Sequence, residues 1–273
     1  MRFSNSPWKT ALIVVLVVAL SAGAVFGLRA MFSEDKEDAK KEISLSYSVG
    51  SLTDAGKYEV DSESGIYNKE AFECQGLRVT PDFDADVTYE VFFYDEDGYF
   101  ISKTDALDHV FTGEPLLAKY ARIEITPVED EVVSWYEVTK YASQLKVEVN
   151  VKQLEFENVL SYKTSSSANN MVLCDPLDLS SSSYLVLKFA RGGMVYMTIK
   201  NASDTLLYDA DLVVKERVLT VTNKLEGATL PYSTVVAGDT NCYVVIPVNT
   251  NMAKASVYLQ ISQLDNRISA YLI

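Results

Sequence analysis

From Ile43 to the C-terminus, apolar and polar residues alternate with a period of two, and this pattern constrains the fold more than any other feature of the chain. In residues 145–151, for example, every second side chain is apolar. Because successive side chains of a strand point to opposite faces, such segments are typical of strands with one buried face. Long amphipathic helical patterns do not occur in this part of the sequence. The sequence therefore predicts an all-β fold.

The other predicted strands are rich in β-branched and aromatic residues and are separated by short turns containing Gly and Asp. They cover residues 76–80, 87–94, 118–126, 184–190, 194–200, 205–214, 217–223, 242–248, 256–262 and 268–273. The run Asp-Glu-Asp-Gly at 95–98 is a typical turn between two strands. Many short strands at regular spacing favour β-sandwiches.

Charge divides the predicted β region near residue 151. Residues 43–150 carry 22 acidic and 8 basic side chains, whereas residues 151–273 carry 11 and 10. We therefore expect two tandem β-sandwich domains, at 43–151 and 152–273. Short similar stretches in the two halves leave two interpretations open, a repeated sandwich or chance likeness between two β domains. The net charge of −14 also excludes nucleic acid as an expected partner, since neutralising phosphates requires a basic surface.

The N-terminal region contains an uncharged stretch of 18 residues, 11–28, between Lys9 and Arg29. At about 1.5 Å per residue such a helix spans roughly 27 Å, close to the thickness of a bilayer core. Trp8 stands where interfacial aromatic rings are favoured. The stretch therefore predicts a single transmembrane helix that anchors the protein in the cell membrane.

The flanks of this stretch suggest an orientation. Residues 1–10 are basic and predict a short cytoplasmic tail, and residues 29–42 predict a charged helical stalk, with the two domains extracytoplasmic. The alternative is a cleaved signal peptide, because Ala22-Gly23-Ala24 fits the small-x-small cleavage pattern. Both interpretations place the β region outside the cytoplasm.

Two patches of the sequence resemble jelly-roll domains of the galactose-binding-like superfamily. One comprises residues 74–83 and 87–98, with an aromatic strand followed by an Asp-x-Asp-Gly type hairpin, and the other runs from 175 to 189. Members of this superfamily are often carbohydrate-binding modules or cell-surface adhesion modules. The resemblance thus implies a jelly-roll fold and a binding role, and the general layout is similar to membrane-anchored bacterial surface proteins.

A cluster of acidic residues is the best candidate for a metal site. Its members are Asp82, Asp84, Asp86, Asp95 and Asp97. The first three alternate, so on a strand they point to one side, and carboxylate oxygens are the ligands that Ca²⁺ prefers. The pattern of an EF-hand loop is absent, however. The alternative is a solvated acidic edge with an ordinary hairpin turn.

Aromatic residues are the candidates for binding a ligand. The chain contains 17 tyrosines, and an exposed tyrosine offers both a stacking ring and a hydroxyl group. The candidates near turns are Tyr94, Tyr99, Trp135 and Tyr136. The alternative is that these rings are half-buried parts of strands, because tyrosine is a good strand former.

Catalytic motifs are missing from the sequence, which contains one histidine, His109. The three cysteines allow either a disulfide between Cys174 and Cys242, which leaves Cys74 free, or three buried thiols. The sequence accordingly predicts no enzymatic activity and no cofactor other than Ca²⁺.

Together these features predict a membrane-anchored, extracytoplasmic binding module that recognises carbohydrate or cell-wall polymer without catalysis. A structural component of an envelope or surface complex, which binds only other proteins, is the alternative. A hydrolase with an unrecognised site is a third interpretation. A groove of exposed aromatic rings would favour sugar, whereas an unpaired sheet edge would favour a protein partner.

Overall fold

The computed structural model describes residues 39–59, 64–83, 87–127, 135–153, 155–166, 171–252, 254–262 and 267–273. Of these residues, 54% lie in strands and 4% in a helix, which confirms the mostly β fold. The chain divides into two compact units, Met1–Leu154 and Glu155–Ile273. The boundary between the two units lies close to the predicted boundary at residue 151.

The first unit contains twelve described strands and one helix. The strands are β1 (Lys40–Ile43), β2 (Tyr47–Val49), β3 (Ser51–Leu52), β4 (Tyr58–Glu59), β5 (Ile66–Asn68), β6 (Phe72–Glu73), β7 (Arg78–Pro81), β8 (Val87–Tyr94), β9 (Phe100–Lys103), β10 (Phe111–Thr112), β11 (Tyr120–Pro127) and β12 (Leu145–Asn150), and the helix is α1 (Trp135–Ser143).

These strands form two larger sheets and a hairpin, all antiparallel. One sheet has the order β1-β12-β7-β10, and the other has the order β2-β5-β11-β8-β9, with β6 also paired to β11. Among the residues that the structure describes, the short strands β3 and β4 pair only with each other. Apolar side chains from both larger sheets, and Val138 and Tyr141 of α1, form one buried core. This arrangement is that of a β-sandwich, because the inner faces of two sheets share one core.

The predicted stalk is wrong at its C-terminal end. Lys40, Lys41 and Glu42 belong to β1, and each of them is paired with a residue of β12. The backbone hydrogen bonds of a strand satisfy the peptide groups of this segment, so it is neither helical nor a free stalk. The rest of the stalk, apart from residue 39, lies outside the described residues, as do the predicted tail and transmembrane helix.

Eleven strands lie in the described residues of the second unit. They are β13 (Tyr162–Ser166), β14 (Met171–Cys174), β15 (Leu177–Asp178), β16 (Tyr184–Ala190), β17 (Gly193–Lys200), β18 (Leu206–Lys215), β19 (Val218–Asn223), β20 (Ser233–Ala237), β21 (Asn241–Pro247), β22 (Ser256–Ser262) and β23 (Ile268–Leu272). Seven of them form a sheet with the order β13-β14-β22-β17-β18-β19 and β15 paired to β22. The other four form a sheet with the order β20-β21-β16-β23.

The core of the second unit lies between these two sheets. Leu187 and Phe189 of β16 and Val244 of β21 belong to the same buried cluster as Val195 and Met197 of β17. The side chains that alternate with the residues of β17 in this cluster point away from the core. The second unit is therefore also built as two packed sheets.

Candidate binding surfaces

The outer face of the seven-stranded sheet in the second unit is formed by the polar half of the alternation. In β22, Val257, Leu259 and Ile261 are buried, whereas Tyr258 and Gln260 between them are exposed. Strands β17 and β18 alternate in the same way, so three neighbouring strands present one continuous half-exposed face. We call this surface the tyrosine face, after Tyr196 of β17 and Tyr258 of β22.

Strand register places polar groups next to both tyrosines. Tyr196 lies opposite Gln260 of β22 on one side and opposite Asp211 of β18 on the other. Tyr258 lies opposite Thr198 of β17. Carboxylate, amide and hydroxyl groups therefore surround two aromatic rings on a surface with fixed backbone geometry.

A lysine approaches each of the two rings. The Nζ atom of Lys224 lies 4.9 Å from the ring centre of Tyr196 and 2.6 Å from Asp211 Oδ1. The Nζ atom of Lys200 lies 5.5 Å from the ring centre of Tyr258 and 2.9 Å from Asp204 Oδ1. The hydrogen bond to Asp211 raises the pKa of Lys224, so this side chain is a cation at neutral pH. The tyrosine face thus combines rings, cations and carboxylates.

The corresponding outer face of the six-stranded sheet in the first unit is covered. Phe92 and Tyr94 of β8, Tyr67 of β5 and Leu52 of β3 form a second buried cluster, separate from the main core of this unit. The hairpin formed by β3 and β4, which we call the strap (residues 51–59), lies on this face. Strand β8 therefore has buried side chains on both of its faces.

A buried carboxyl group lies beneath the strap. Glu124 of β11 is 6% exposed, and its Oε2 atom accepts a hydrogen bond of 2.7 Å from the backbone N–H of Leu52. It stands opposite Glu90 of β8 in the strand register. Burial, and next the charge of Glu90, raise the pKa of Glu124 to about 7, although the Leu52 N–H and Lys103 oppose the shift.

The described side chains among the four predicted ligand-binding residues differ in how exposed they are. Tyr94 is 5% exposed and donates a hydrogen bond of 2.7 Å to the carbonyl oxygen of Gly56, so its ring is not available to a ligand in this conformation. Tyr99 follows the β8–β9 turn and is 38% exposed, and Tyr136 of α1 is 79% exposed. Trp135 begins α1, but its side chain lies outside the described part of the structure.

Asp95 of the predicted metal cluster has a structural role in the turn between β8 and β9. It is 1% exposed, and its Oδ1 atom accepts the backbone N–H groups of Asp97 and Tyr99 at 3.0 and 2.8 Å. Gly98, with φ of +79°, completes the predicted turn. These bonds give the Asp95 carboxylate a role within the turn itself.

The other members of the predicted metal cluster are either exposed or outside the described residues. Asp82 and Asp97 are exposed, and Asp84 and Asp86 lie outside the described residues. Within the described parts of the chain, no group of three or more His, Cys, Asp or Glu side chains is arranged to hold a metal ion. Calcium binding remains a prediction.

The cysteines are three buried free thiols, so the alternative with a disulfide between Cys174 and Cys242 does not apply to this structure. Burial raises the pKa of Cys174 to about 11, which makes it a poor nucleophile. His109 is exposed and contacts Asp108, with 2.9 Å between Nδ1 and Oδ1.

Sequence reasoning did not identify Tyr196, Tyr258 or Glu124 as functional candidates. The first two carry a recognisable signal, because each tyrosine stands at a polar position of an alternating strand. Glu124 stands among apolar and aromatic residues of β11, but its burial depends on a hairpin more than 60 residues away in the sequence. No local pattern predicts that contact.

Comparisons with known proteins identify no relatives. No protein family and no curated protein matches the chain. Among solved structures, an oxalate decarboxylase is 9% identical, with 88% of this chain and 80% of that chain covered and a TM-score of 0.14. The Bacillus subtilis oxalate decarboxylase at pH 4.6 is 8% identical, with 93% and 84% covered and a TM-score of 0.15. At TM-scores this low, the matches show neither the fold nor the function of this chain.

These matches nevertheless correct one expectation. The sequence predicted that the protein is not an enzyme, and the proteins matched are enzymes, so we no longer retain that expectation. The likeness does not identify a reaction. No helix in the described ranges is long and apolar enough to cross a membrane, and the predicted span at 11–28 lies outside those ranges.

Proposed function

We propose that this protein is a membrane-anchored, extracytoplasmic binding protein that recognises carbohydrate or cell-wall polymer through the tyrosine face of its second unit. The observation that carries the proposal is the pair of half-buried Tyr196 and exposed Tyr258 on neighbouring strands, with Asp211 and Gln260 beside Tyr196. Sugar rings present an apolar face and several hydroxyl groups. Aromatic rings contact the former, and carboxylate and amide groups bind the latter.

The location follows from the N-terminal sequence. The uncharged stretch 11–28 anchors the chain, with residues 1–10 in the cytoplasm and the sheets of both units outside it. The jelly-roll fold implied by the resemblance to galactose-binding-like domains is compatible with two units of antiparallel sheets. The charge of −14 in residues 43–150 favours neutral or cationic polymers over anionic ones.

The test is retention of the full-length chain, in mild detergent, on immobilised polysaccharides and cell-wall preparations. We expect retention on a defined glycan and release by the free sugar. Tyr196→Ala and Tyr258→Ala should each weaken binding about tenfold or more, since a stacking ring contributes on the order of 1–2 kcal/mol. Tyr232→Ala is the matched control, because this tyrosine is 44% exposed but precedes β20 in the other sheet.

Binding that depends instead on Tyr99 or Tyr136 would move the site to the first unit, where the sequence first suggested it. The variants Tyr99→Ala and Tyr136→Ala test this directly. If neither pair of variants affects retention, or if no glycan retains the protein, carbohydrate recognition by these surfaces is wrong.

A second candidate function is that of a structural or assembly component that binds proteins. Strands β19 and β20 lie at the ends of their two sheets. Neither strand contains a charged residue, and Val218, Val236 and the adjacent Tyr232 are 67%, 40% and 44% exposed. Uncharged sheet edges accept an added strand from a partner. Retention by envelope proteins, lost in Val218→Lys and Val236→Lys variants, would support this candidate over the first.

A further inference from the structure

The strap is held on the six-stranded sheet by contacts along its whole length. At its start, the Leu52 N–H donates to Glu124. At its turn, Asp54 Oδ1 lies 2.9 Å from Lys103 Nζ, and Lys103 lies 2.9 Å from Glu90 Oε1. Past the turn, the Gly56 carbonyl oxygen accepts the Tyr94 hydroxyl.

The strap ends with an aromatic contact. The ring of Tyr58 stacks on the ring of Tyr67, with 5.2 Å between the ring centres. Because β3 and β4 pair only with each other, these side-chain contacts, and not a continuous sheet, hold the strap in place. Gly50 joins β2 to the strap, and its N–H donates to the carbonyl oxygen of Gly65, the residue before β5.

Two glycines allow the strap to approach the sheet closely. Gly50 and Gly56 have φ angles of +141° and +66°. A Cβ atom at Gly56 would lie 2.7 Å from Phe100 Cδ2 and 2.7 Å from the Tyr94 hydroxyl oxygen. The backbone therefore rests directly on the aromatic layer, and no side chain separates the two.

We propose that the strap is a pH-sensitive cover that is closed when Glu124 is protonated and opens when Glu124 becomes ionised, which exposes the aromatic layer of Phe92, Tyr94 and Tyr67. The physical cause is the burial of Glu124 by the strap itself. An ionised carboxylate loses hydration when the strap closes over it, whereas a neutral carboxyl group loses much less.

The charged groups around Glu124 modify this effect without removing it. Glu90 on β8 opposes ionisation, and Lys103 on β9 favours it. Within the strap, Asp54 binds Lys103, and Glu59 accepts the hydroxyl group of Ser51. Arg122 belongs to β11 itself and lies over the Tyr94 ring. Burial raises the pKa of Tyr67 of β5, so its hydroxyl group is uncharged at physiological pH.

The direction of the pH dependence follows from proton linkage. The closed state has a pKa of about 7 for Glu124, against an ordinary value of 4.5 when the group is hydrated. Between these two values the closed state binds more protons than the open state, so raising the pH favours opening. Below pH 4.5 and above about pH 7, the equilibrium between the closed and the open strap no longer depends on pH. The whole difference between the two pKa values corresponds to a change of about 300-fold in the closing equilibrium, of which about 100-fold falls between pH 5 and pH 8.

The test is amide hydrogen exchange of the full-length chain in mild detergent at several pH values from about 5 to about 8, corrected for the intrinsic pH dependence of exchange. We expect protection of residues 51–59 to fall about 100-fold across this range in the wild-type chain. In Glu124→Gln, which cannot ionise, protection should stay constant. Residues 145–150 of the other sheet should remain protected throughout, which separates strap opening from global unfolding.

Glu148→Gln is the matched control, since Glu148 is another strand glutamate of the first unit and pairs with Lys146 on the surface. It should keep the wild-type pH dependence. The proposal is overturned if wild-type protection of the strap is independent of pH, or if Glu124→Gln retains the same dependence. If Glu124→Gln does not fold, carboxyl NMR of the wild-type chain decides, because a Glu124 resonance that titrates near 4.5 overturns the proposal.

Discussion

The outer face of the six-stranded sheet in the first unit and the tyrosine face of the second unit arise from similar alternating strands but differ in exposure. In β8 the last four residues are all buried. In β22 the outward residues Tyr258 and Gln260 are exposed. Both faces contain tyrosines, carboxylates and at least one lysine, so composition does not account for the difference. A short hairpin covers the first face, and the second face is open among the described residues.

This comparison shows why tyrosine count alone is a poor guide to binding sites. Under the strap, the ring and hydroxyl group of Tyr94 are both used within the fold. On the tyrosine face, Tyr258 remains 37% exposed. When the strap covers the sheet, the aromatic residues beneath it become part of a buried core and are no longer available to a ligand. The same burial raises the pKa of the nearby Glu124 carboxyl group.

The largest expected effect concerns the aromatic layer beneath the strap. Phe92→Ala should lower the free energy of unfolding by about 3–4 kcal/mol, because it leaves a cavity at a fully buried position. Tyr258→Ala on the tyrosine face should cost less than about 1 kcal/mol. Urea-induced unfolding of both variants checks the comparison. Equal costs would mean that the two faces are buried to the same extent.

The next effect is the pH dependence of stability. Because the pKa of Glu124 is raised, the folded state binds more protons than the unfolded state between about pH 4.5 and 7, and stability falls as pH rises through this range. We expect a loss of about 3 kcal/mol in the wild-type chain relative to Glu124→Gln. Urea unfolding at several pH values measures it. Parallel curves for the two proteins would show that Glu124 titrates normally.

A smaller effect distinguishes two glycines with similar backbone angles. Gly56 has φ of +66° and touches the aromatic layer, whereas Gly227 of the second unit has φ of +75° and nothing within 4 Å of an added Cβ atom. Gly227→Ala should cost about 1 kcal/mol from backbone strain alone, and Gly56→Ala should cost about 1–2 kcal/mol more. Thermal unfolding tests this, and a Gly56→Ala variant as stable as Gly227→Ala would argue against close contact of the strap.

The smallest effect compares two lysines. Lys103 joins Asp54 of the strap to Glu90, and Lys224 joins Asp211 to the ring of Tyr196. Lys103→Met should destabilise the chain by about 1 kcal/mol and Lys224→Met by about 0.5 kcal/mol, because both pairs are partly exposed to solvent. High salt should reduce both effects in the same unfolding assay. A larger loss of stability in Lys224→Met than in Lys103→Met would contradict the expectation that the ion pairs of the strap contribute more than those of the tyrosine face.

Several strands were predictable to within a few residues. The predicted segments 184–190 and 256–262 coincide with β16 and β22, since each is a strongly patterned run between clear turn signals. The helix α1 was missed because it has only nine residues, several of them β-branched or aromatic. Strand β20 was also missed, since an edge strand with exposed valines has no strong alternation.

The candidate sites were less predictable than the fold. Tyr99 and Tyr136 are exposed as expected, but Tyr94 and Asp95, next to each other in the sequence, are buried. The pattern of β8 already indicates that Tyr94 and Phe92 share a face. It does not indicate that the strap covers this face, because the covering residues lie about 40 positions earlier in the chain.

The sequence by itself determined the mostly β fold, the turn at 95–98 and the division of charge along the chain, because strand periodicity and turn chemistry are local properties. Only the tertiary structure decided that the outer face of the six-stranded sheet is covered and that the tyrosine face is open among the described residues. It also decided that Glu124 is buried beside Glu90. Both outcomes depend on contacts between segments far apart in the sequence, and the free energy of such contacts is not encoded in any local pattern.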